Sequence, residues 1–436
     1  MMIFSAKRAL AFGASTIAIG IAIPGYVSAG TQAGIQQGTV QADVNTVLTI
    51  SQIGDDFTFG VDDVGGVTAT ATVSTVPTGE VSQTASGTGV GVGLGDANVN
   101  MTNDGSVTIS ALAQATNGAG SATADAYIAT GVYQSGVGVA SATPVIDNNG
   151  SLVVAATATA VASLAADASA TVGAGVSQYA SAGTVASAAL NNSASSDILI
   201  SAVADAAGTV ADADANIYEG VDQYAYGSDA SVSIINDGSL AVSASASAAA
   251  SGTRADASAE VTDGIYQYAD GSVVASASLS NSSSFAVSAD AKALNSGGSA
   301  DAYASVDSAV EQYAQGSAVA SVGLVNASTG MISITADAQA SGGVAYATAS
   351  NDYAIYQTAS ADGLGGVASV GLTNDGNIEI AAVAAATAAG YADAYATAYQ
   401  GVYQSAEAAG GAGDATAGVT NSGALAITAD AVANGA

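Results

Sequence analysis

Apolar and small polar residues alternate with period two along most of the chain, as in Ser239-Leu240-Ala241-Val242-Ser243-Ala244-Ser245-Ala246. Successive side chains of a strand point to opposite faces, so the alternation predicts strands with one buried and one solvated face. No segment joins a 3.6-residue period to helix caps, and the period-two pattern outweighs the helix propensity of Ala. Ala-rich runs such as 381–389 suit a helix as well, which leaves a helical or disordered array as the competing reading.

The strands recur in a longer period. A Val or Ile two positions before a Gln appears in Gly131-Val132-Tyr133-Gln134, Gly175-Val176-Ser177-Gln178, Gly220-Val221-Asp222-Gln223, Gly264-Ile265-Tyr266-Gln267, Ala309-Val310-Glu311-Gln312, Ala354-Ile355-Tyr356-Gln357 and Gly401-Val402-Tyr403-Gln404. Glu80-Val81-Ser82-Gln83 is a weaker first copy, and the Gln-to-Gln steps are 51, 44, 45, 44, 45, 45 and 47 residues. A second marker follows each Gln by 13 to 20 residues: Asn103-Asp104-Gly105, Asn148-Asn149-Gly150, Asn191-Asn192, Asn236-Asp237-Gly238, Asn281, Asn326, Asn374-Asp375-Gly376 and Asn421-Ser422-Gly423. Asn and Gly tolerate positive φ, so each marker is expected to be a tight turn.

One unit then reads as three strands: Leu240 to about Ala249 after the turn, Asp256 to Tyr268 ending in the Gln motif, and Val273 to Leu279 running back to Asn281. Three strands per constant period without helices predict an all-β fold, a β-solenoid (β-helix) of about eight repeats of ~45 residues, each coil stacking on the last. Coils ~4.8 Å apart give a rod of roughly 40 Å, or twice that if each unit holds two short coils.

Stacking turns recurring residues into columns. Counting by twos puts Ile265, Gln267 and Ala269 on one inward face, and Val273, Ala275, Ala277, Leu279 and Asn281 on another, with Ala230, Val232, Ile234 and Asn236 alike. A buried amide needs partners, and a structural ladder of Gln134, Gln178, Gln223, Gln267, Gln312, Gln357 and Gln404 supplies them along the stack. The corner column of Asn103, Asn148, Asn236, Asn281, Asn326, Asn374 and Asn421 reads likewise. Eleven residues before the Gln stands Asp167, Asp212, Asp256, Asp301 or Asp393, facing solvent by parity. Like charges one coil apart repel by about 1 kcal/mol in bulk water. Such a row invites a cation, and oxygen-only ligands suit Ca²⁺; the alternative is a solvated face that resists lateral aggregation. Tyr133, Tyr179, Tyr224, Tyr266, Tyr268, Tyr313, Tyr356 and Tyr403 flank the Gln column, where they pack across strands or stack on sugars.

Composition then removes most chemistry. The chain of 436 residues has no His and no Cys, so imidazole bases, thiolate nucleophiles, zinc sites of these ligands and disulfides are excluded. Four basic against 36 acidic residues, a charge of −32, argue against nucleic acid and anionic membranes as partners. Apolar residues make up 49% and charged residues 9%, opposite to a disordered acidic chain. Lys7 and Arg8, the apolar run from Ala9 to Ile23 and Val27-Ser28-Ala29 have the layout of a secretory signal peptide cleaved after Ala29. Residues 1–29 are therefore expected to be the export signal, 30–82 an N-terminal capping region and 83–436 the repeat array. The exported chain retains 36 acidic and 2 basic residues, a charge of −34 without a stable membrane span.

At Ile265-Tyr266-Gln267-Tyr268-Ala269-Asp270-Gly271 the unit resembles a curlin repeat, with Gln before a Gly turn and Ala275 shortly after. Gln41, Asn45, Gln52 and Gly54 form a second echo. The likeness covers 15 to 18 residues of each unit, lacks a second Gln near Ser278 or Leu279, and has twice the curlin period. The longer arms after Asn-Asp-Gly look more like β-helical passenger regions of bacterial adhesins, without their membrane barrel. Both similarities imply a secreted or cell-surface β-structure and transfer no site. The leading expectation is a structural or adhesive surface protein, a filament or biofilm-matrix component acting by self-association or by contact with host or matrix polysaccharide. The alternatives are a carbohydrate-active β-helix enzyme, for which Arg254 and Lys292 are too few basic residues to hold acidic sugars, and a passenger fragment of a larger adhesin.

Overall fold

The computed structural model describes residues 96–117, 121–409 and 413–435, with side chains except at 114–117, and the backbone of seven short strands before residue 88. Nearly all of these residues lie in strands, and no helix occurs among them. Ser151–Ala162, Ala165–Ala182 and Val185–Asn192 form one coil of 12, 18 and 8 residues, here termed the core, bent and return strands. Each pairs in parallel with its counterparts in the preceding and following coils. The chain is a β-solenoid.

Register settles the size of the coil. Gln134, Gln178, Gln223, Gln267, Gln312, Gln357 and Gln404 are successive Cα partners, so a repeat advances the chain by one inter-strand step. The possibility of two short coils per unit is thereby corrected. The Ala-rich run 381–389 lies within and just beyond the strand Asn377–Ala388, where inward Ala382, Ala384 and Ala386 stack in register on Ala336, Ala338 and Ala340 of the preceding coil in the core.

The N-terminal backbone continues the stack with shorter coils. Val81–Gly87 lies beneath the bent strand with Gln83 opposite Gln134, and Phe57–Asp63 and Gln36–Ala42 extend that column. Thr46–Ser51 and Thr68–Ser74 likewise extend the return-strand column to Asp96–Asn103. Among the described residues the core-strand column begins at Ser106–Asn117. The boundary expected at residue 82 falls inside a strand. Of residues 1–29 only the backbone of Gly20–Ile21 and Tyr26–Ser28 is described, so the expected cleavage site lies outside the described residues.

Two apolar clusters fill the coil. Core-strand Leu152, Val154, Ala156, Ala158 and Ala160 pack with bent-strand Ala166, Ala168, Ala170 and Val172 in one cluster. Ala180 packs with return-strand Ala186 and Ala188 in a second, nearly all-Ala cluster. Small side chains let the two walls approach there, so Gln178 Nε2 reaches across to the return-strand carbonyl of Ala189 at 2.9 Å. Val273, expected inside, is 42% exposed, because inward alternation begins only after the turn, at Ala275.

The bend in the 18-residue strand explains its Gly. Gly175 and Val176 are adjacent and both buried, which breaks strict alternation at the bend. A Cβ on Gly175 falls 2.5 Å from Ile200 Cδ1, and one on Gly264 falls 2.7 Å from Val287 Cγ2. Ala309 and Ala354 occupy this position in later coils, so one methyl is accommodated where the surroundings have adjusted. Gly264→Val is therefore expected to lower stability by about 1–3 kcal/mol, the scale of overpacking, and Gly264→Ala by less. Urea denaturation of the two variants beside the parent checks the order.

The corners need a correction. Asn103, Asn148, Asn236, Asn281, Asn326 and Asn374 are buried residues at the ends of return strands, and positive φ occurs only at Ser195 (72°) and Gly365 (74°) among the described residues. The corner is held by the side chain instead. Asn148 Nδ2 donates to Asn192 Oδ1 at 2.8 Å and lies 3.2 Å from Gly150 O, and Gly105 N donates to Asn103 Oδ1 at 3.2 Å. Gly150 and Gly423 are small for another reason: a Cβ on either collides with the backbone of the corner glycine one coil below.

Candidate functional site

Both amide columns form. Gln178, Gln223, Gln267, Gln312 and Gln357 each donate to the preceding Gln at 2.6–2.9 Å, and Gln404 lies 2.8 Å from Gln357 in the same column. Gln134 to Gln357 are fully buried. The Asn column runs the other way: Asn103, Asn148, Asn192, Asn236, Asn281, Asn326 and Asn374 each donate to the following Asn at 2.7–2.8 Å, ending on Asn421. Asn192 is the column member of its coil, while Asn191 donates to Asp147. The two amide chains thus polarise in opposite senses along the axis. These columns bond each coil to its neighbours in register.

The Asp row lies on the outer wall of the bent strand. Asp167, Asp212, Asp256 and Asp301 are successive partners, whereas Tyr346 separates Asp301 from Asp393. Burial raises the Asp167 carboxyl, with Asp212 and then Asp125 adding to it; burial also raises Asp301, which Arg254 opposes. Arg254 pairs with Asp256 in the middle of the row. The carboxylates are arranged in a line, and among the described residues no three acidic groups converge to hold a metal ion.

A different set of acids is brought together by the bend. Because Gly220 and Val221 both turn inward, the flanking outward residues Glu219 and Asp222 approach each other. Stacked coils repeat this, so two facing columns run along the axis, the line between them here termed the groove, with Glu219, Asp263, Ser308, Tyr353 and Gln400 on one side. Asp222, Tyr266, Glu311, Tyr356 and Tyr403 form the other. Asp222 is only 4% exposed; its Oδ2 accepts a 3.4 Å bond from Ser177, and no donor reaches its Oδ1. Two carboxyl groups hydrogen-bond only by sharing a proton, as Glu219 does with Asp222 and Asp263 with Glu311. Burial, then Glu219, pushes Asp222 up to about 8; burial, then Glu311, pushes Asp263 up to about 8.

Tyrosines border this groove. The rings run Tyr224–Tyr266–Tyr313–Tyr356–Tyr403 along the axis with centroids 4.7–5.9 Å apart. Tyr179, Tyr226 and Tyr268 form a parallel run at 5.6–5.7 Å that joins Tyr313. They pack across strands as expected, yet each keeps part of its surface open. Tyr313 donates to Glu311, and burial with nearby carboxyls raises the Tyr224, Tyr266 and Tyr313 phenols. Tyr133 starts the same outward column at Gln134.

Glu219, Asp222, Asp263 and Glu311 are the groups missed by counting alternation. Their signal lay in fixed offsets of four and one residues before the Gln, which place them on facing sides of the bend. No family model, curated protein or solved structure matches the chain. Among the described residues no helix is long and apolar enough to cross a membrane.

Proposed function

We propose that the chain is exported and serves as a structural or adhesive protein of the bacterial outside, acting through self-association and the contacts of its walls. The observation that carries this reading is the continuity of the solenoid: the described side chains of note occur as repeated columns. An extended repetitive wall suits polyvalent contact, in which weak sites in series gain avidity. The export layout at residues 1–29 and the acidic composition support the same reading. Self-repulsion of the −34 exported chain is met by cations, acidity or spacing between neighbouring rods.

Electron microscopy of the purified exported chain over a range of concentration, calcium level and pH tests the proposal. Filaments or laterally ordered bundles are the expected result. Monodisperse short particles under every condition would overturn self-association, and retention of the expressed protein inside the cell would overturn export.

A further inference from the structure

The tyrosine-bordered groove has the makings of a ligand site. Five ring positions, Tyr224 to Tyr403, span four inter-coil steps, about 19 Å at ~4.8 Å each. Tyr224, Tyr266, Tyr313 and Tyr356 are half-buried, held by neighbours, and therefore already ordered before any ligand arrives, with Tyr403 more exposed at the end. Beside them Asp263 and Glu311 keep part of their surface open. Partly open carboxyl oxygens of this kind can accept from a ligand that donates hydrogen bonds.

The chemistry narrows the occupant. A polyanion meets Glu219, Asp222, Asp263 and Glu311, while Arg254 is engaged with Asp256 eleven residues before the Gln position and Lys292 lies on a core strand. A second copy of this acidic chain meets the same repulsion. A metal ion lacks three converging ligands among the described residues. The shared proton of each pair is held between its two carboxyl groups, so what a pair turns outward is acceptor oxygens. Alternating hydroxyls and apolar ring faces match such a surface, because tyrosine presents an apolar body with a polar tip.

We infer that the groove formed by Glu219, Asp263, Glu311, Tyr266, Tyr313 and Tyr356 binds a neutral, hydroxyl-rich polysaccharide laid along the solenoid axis. This rests on the adhesive reading above and gives it a partner. Sugar rings lie against the exposed parts of the tyrosines, while their hydroxyls donate to the partly open carboxyl oxygens of Asp263 and Glu311.

The test is co-sedimentation of the exported chain with insoluble cellulose and insoluble β-1,3-glucan as neutral probes, chitosan as a cationic probe and soluble polygalacturonate as a competitor. Depletion by a neutral probe, undiminished by polygalacturonate, is expected. The triple variant Tyr266→Ala, Tyr313→Ala, Tyr356→Ala should bind at least tenfold more weakly, whereas Tyr127→Ala with Tyr303→Ala, on the arm before the bend, should bind as the parent does. Tyr313→Phe keeps the ring and should retain most binding, and the single Tyr313→Ala serves if the triple variant does not fold. With 17 of the 18 Tyr retained after loss of Tyr26 and no Trp, tyrosine emission of the exported chain reports binding of a soluble cello-oligosaccharide directly. Failure to bind either neutral probe, preference for chitosan, or equal binding by parent and Tyr313→Ala would overturn the inference. Microscopy of the same samples separates the two proposals: filaments without glycan binding sink only the groove, and glycan binding by dispersed particles sinks only self-association.

Discussion

Gln267→Glu is expected to lower stability by about 2–4 kcal/mol at pH 7 and by about 1 kcal/mol or less at pH 4, because a single change of atom removes a donor from a fully buried site. Gln267 Nε2 donates to Gln223 Oε1 at 2.8 Å and to Ser278 O at 3.1 Å, and its Oε1 accepts from Gln312 at 2.6 Å. A carboxylate keeps the bond from Gln312 but faces two acceptors. The folded chain therefore favours the protonated acid, and the pKa of the new Glu lies above its unfolded value of about 4.3. For an acid so raised, stability is complete below the unfolded pKa and is lost as pH rises through the folded one. Gln267→Leu removes both donor and acceptor, so its loss should be alike at the two pH values. Urea denaturation of the three proteins at pH 4 and pH 7 distinguishes them, with hydrogen exchange in neighbouring coils as a local readout, since long repeat arrays need not unfold in two states. Equal losses for Gln267→Glu at both pH values would sink the account of the ladder.

That ladder was legible in the sequence because three simple regularities agree. Alternation placed Gln267 inside, the 44- to 47-residue recurrence placed the same residue above and below it, and burial required a partner. The strand count per unit was readable for the same reason. The corner mechanism was not: Asn followed by Gly fits a positive-φ turn as well as an inward Asn cap with a Gly crowded by its stacked neighbour, and only the register of adjacent coils tells them apart. The groove was harder still. A period-two count continues straight through Gly220-Val221, whereas the strand turns there with both residues inward, and this is what brings Glu219 to Asp222. The Asp row illustrates the converse. Its spacing was readable, yet a line of carboxylates on one wall does not converge on a point.

Asp222→Asn combined with Asp263→Asn is expected to raise stability at pH 8 by about 1–3 kcal/mol, the scale for relieving uncompensated buried polar groups, with little change at pH 4. Asp222 and Asp263 are each pushed up to about 8, first by burial and then by Glu219 and Glu311 respectively. In an unfolded chain both ionise near pH 4. Between these limits the unfolded state has released protons that the folded state still holds, so folding stability falls as pH rises through about 8 and is fully present below about 4. The parent should therefore melt at a lower temperature at pH 8 than at pH 5. General self-repulsion of an acidic chain predicts the same sign, but it is screened by salt and spread over the walls. The amide variants separate the two causes: they keep the shape of the groove, give Glu219 and Glu311 a donor at every pH, and remove two of the 36 acids. A melting-temperature difference between variant and parent that grows from pH 5 to pH 8 and persists at high salt assigns the effect to the groove. A difference that vanishes in salt assigns it to net charge, and the shared protons of the bend then play no part in holding the fold.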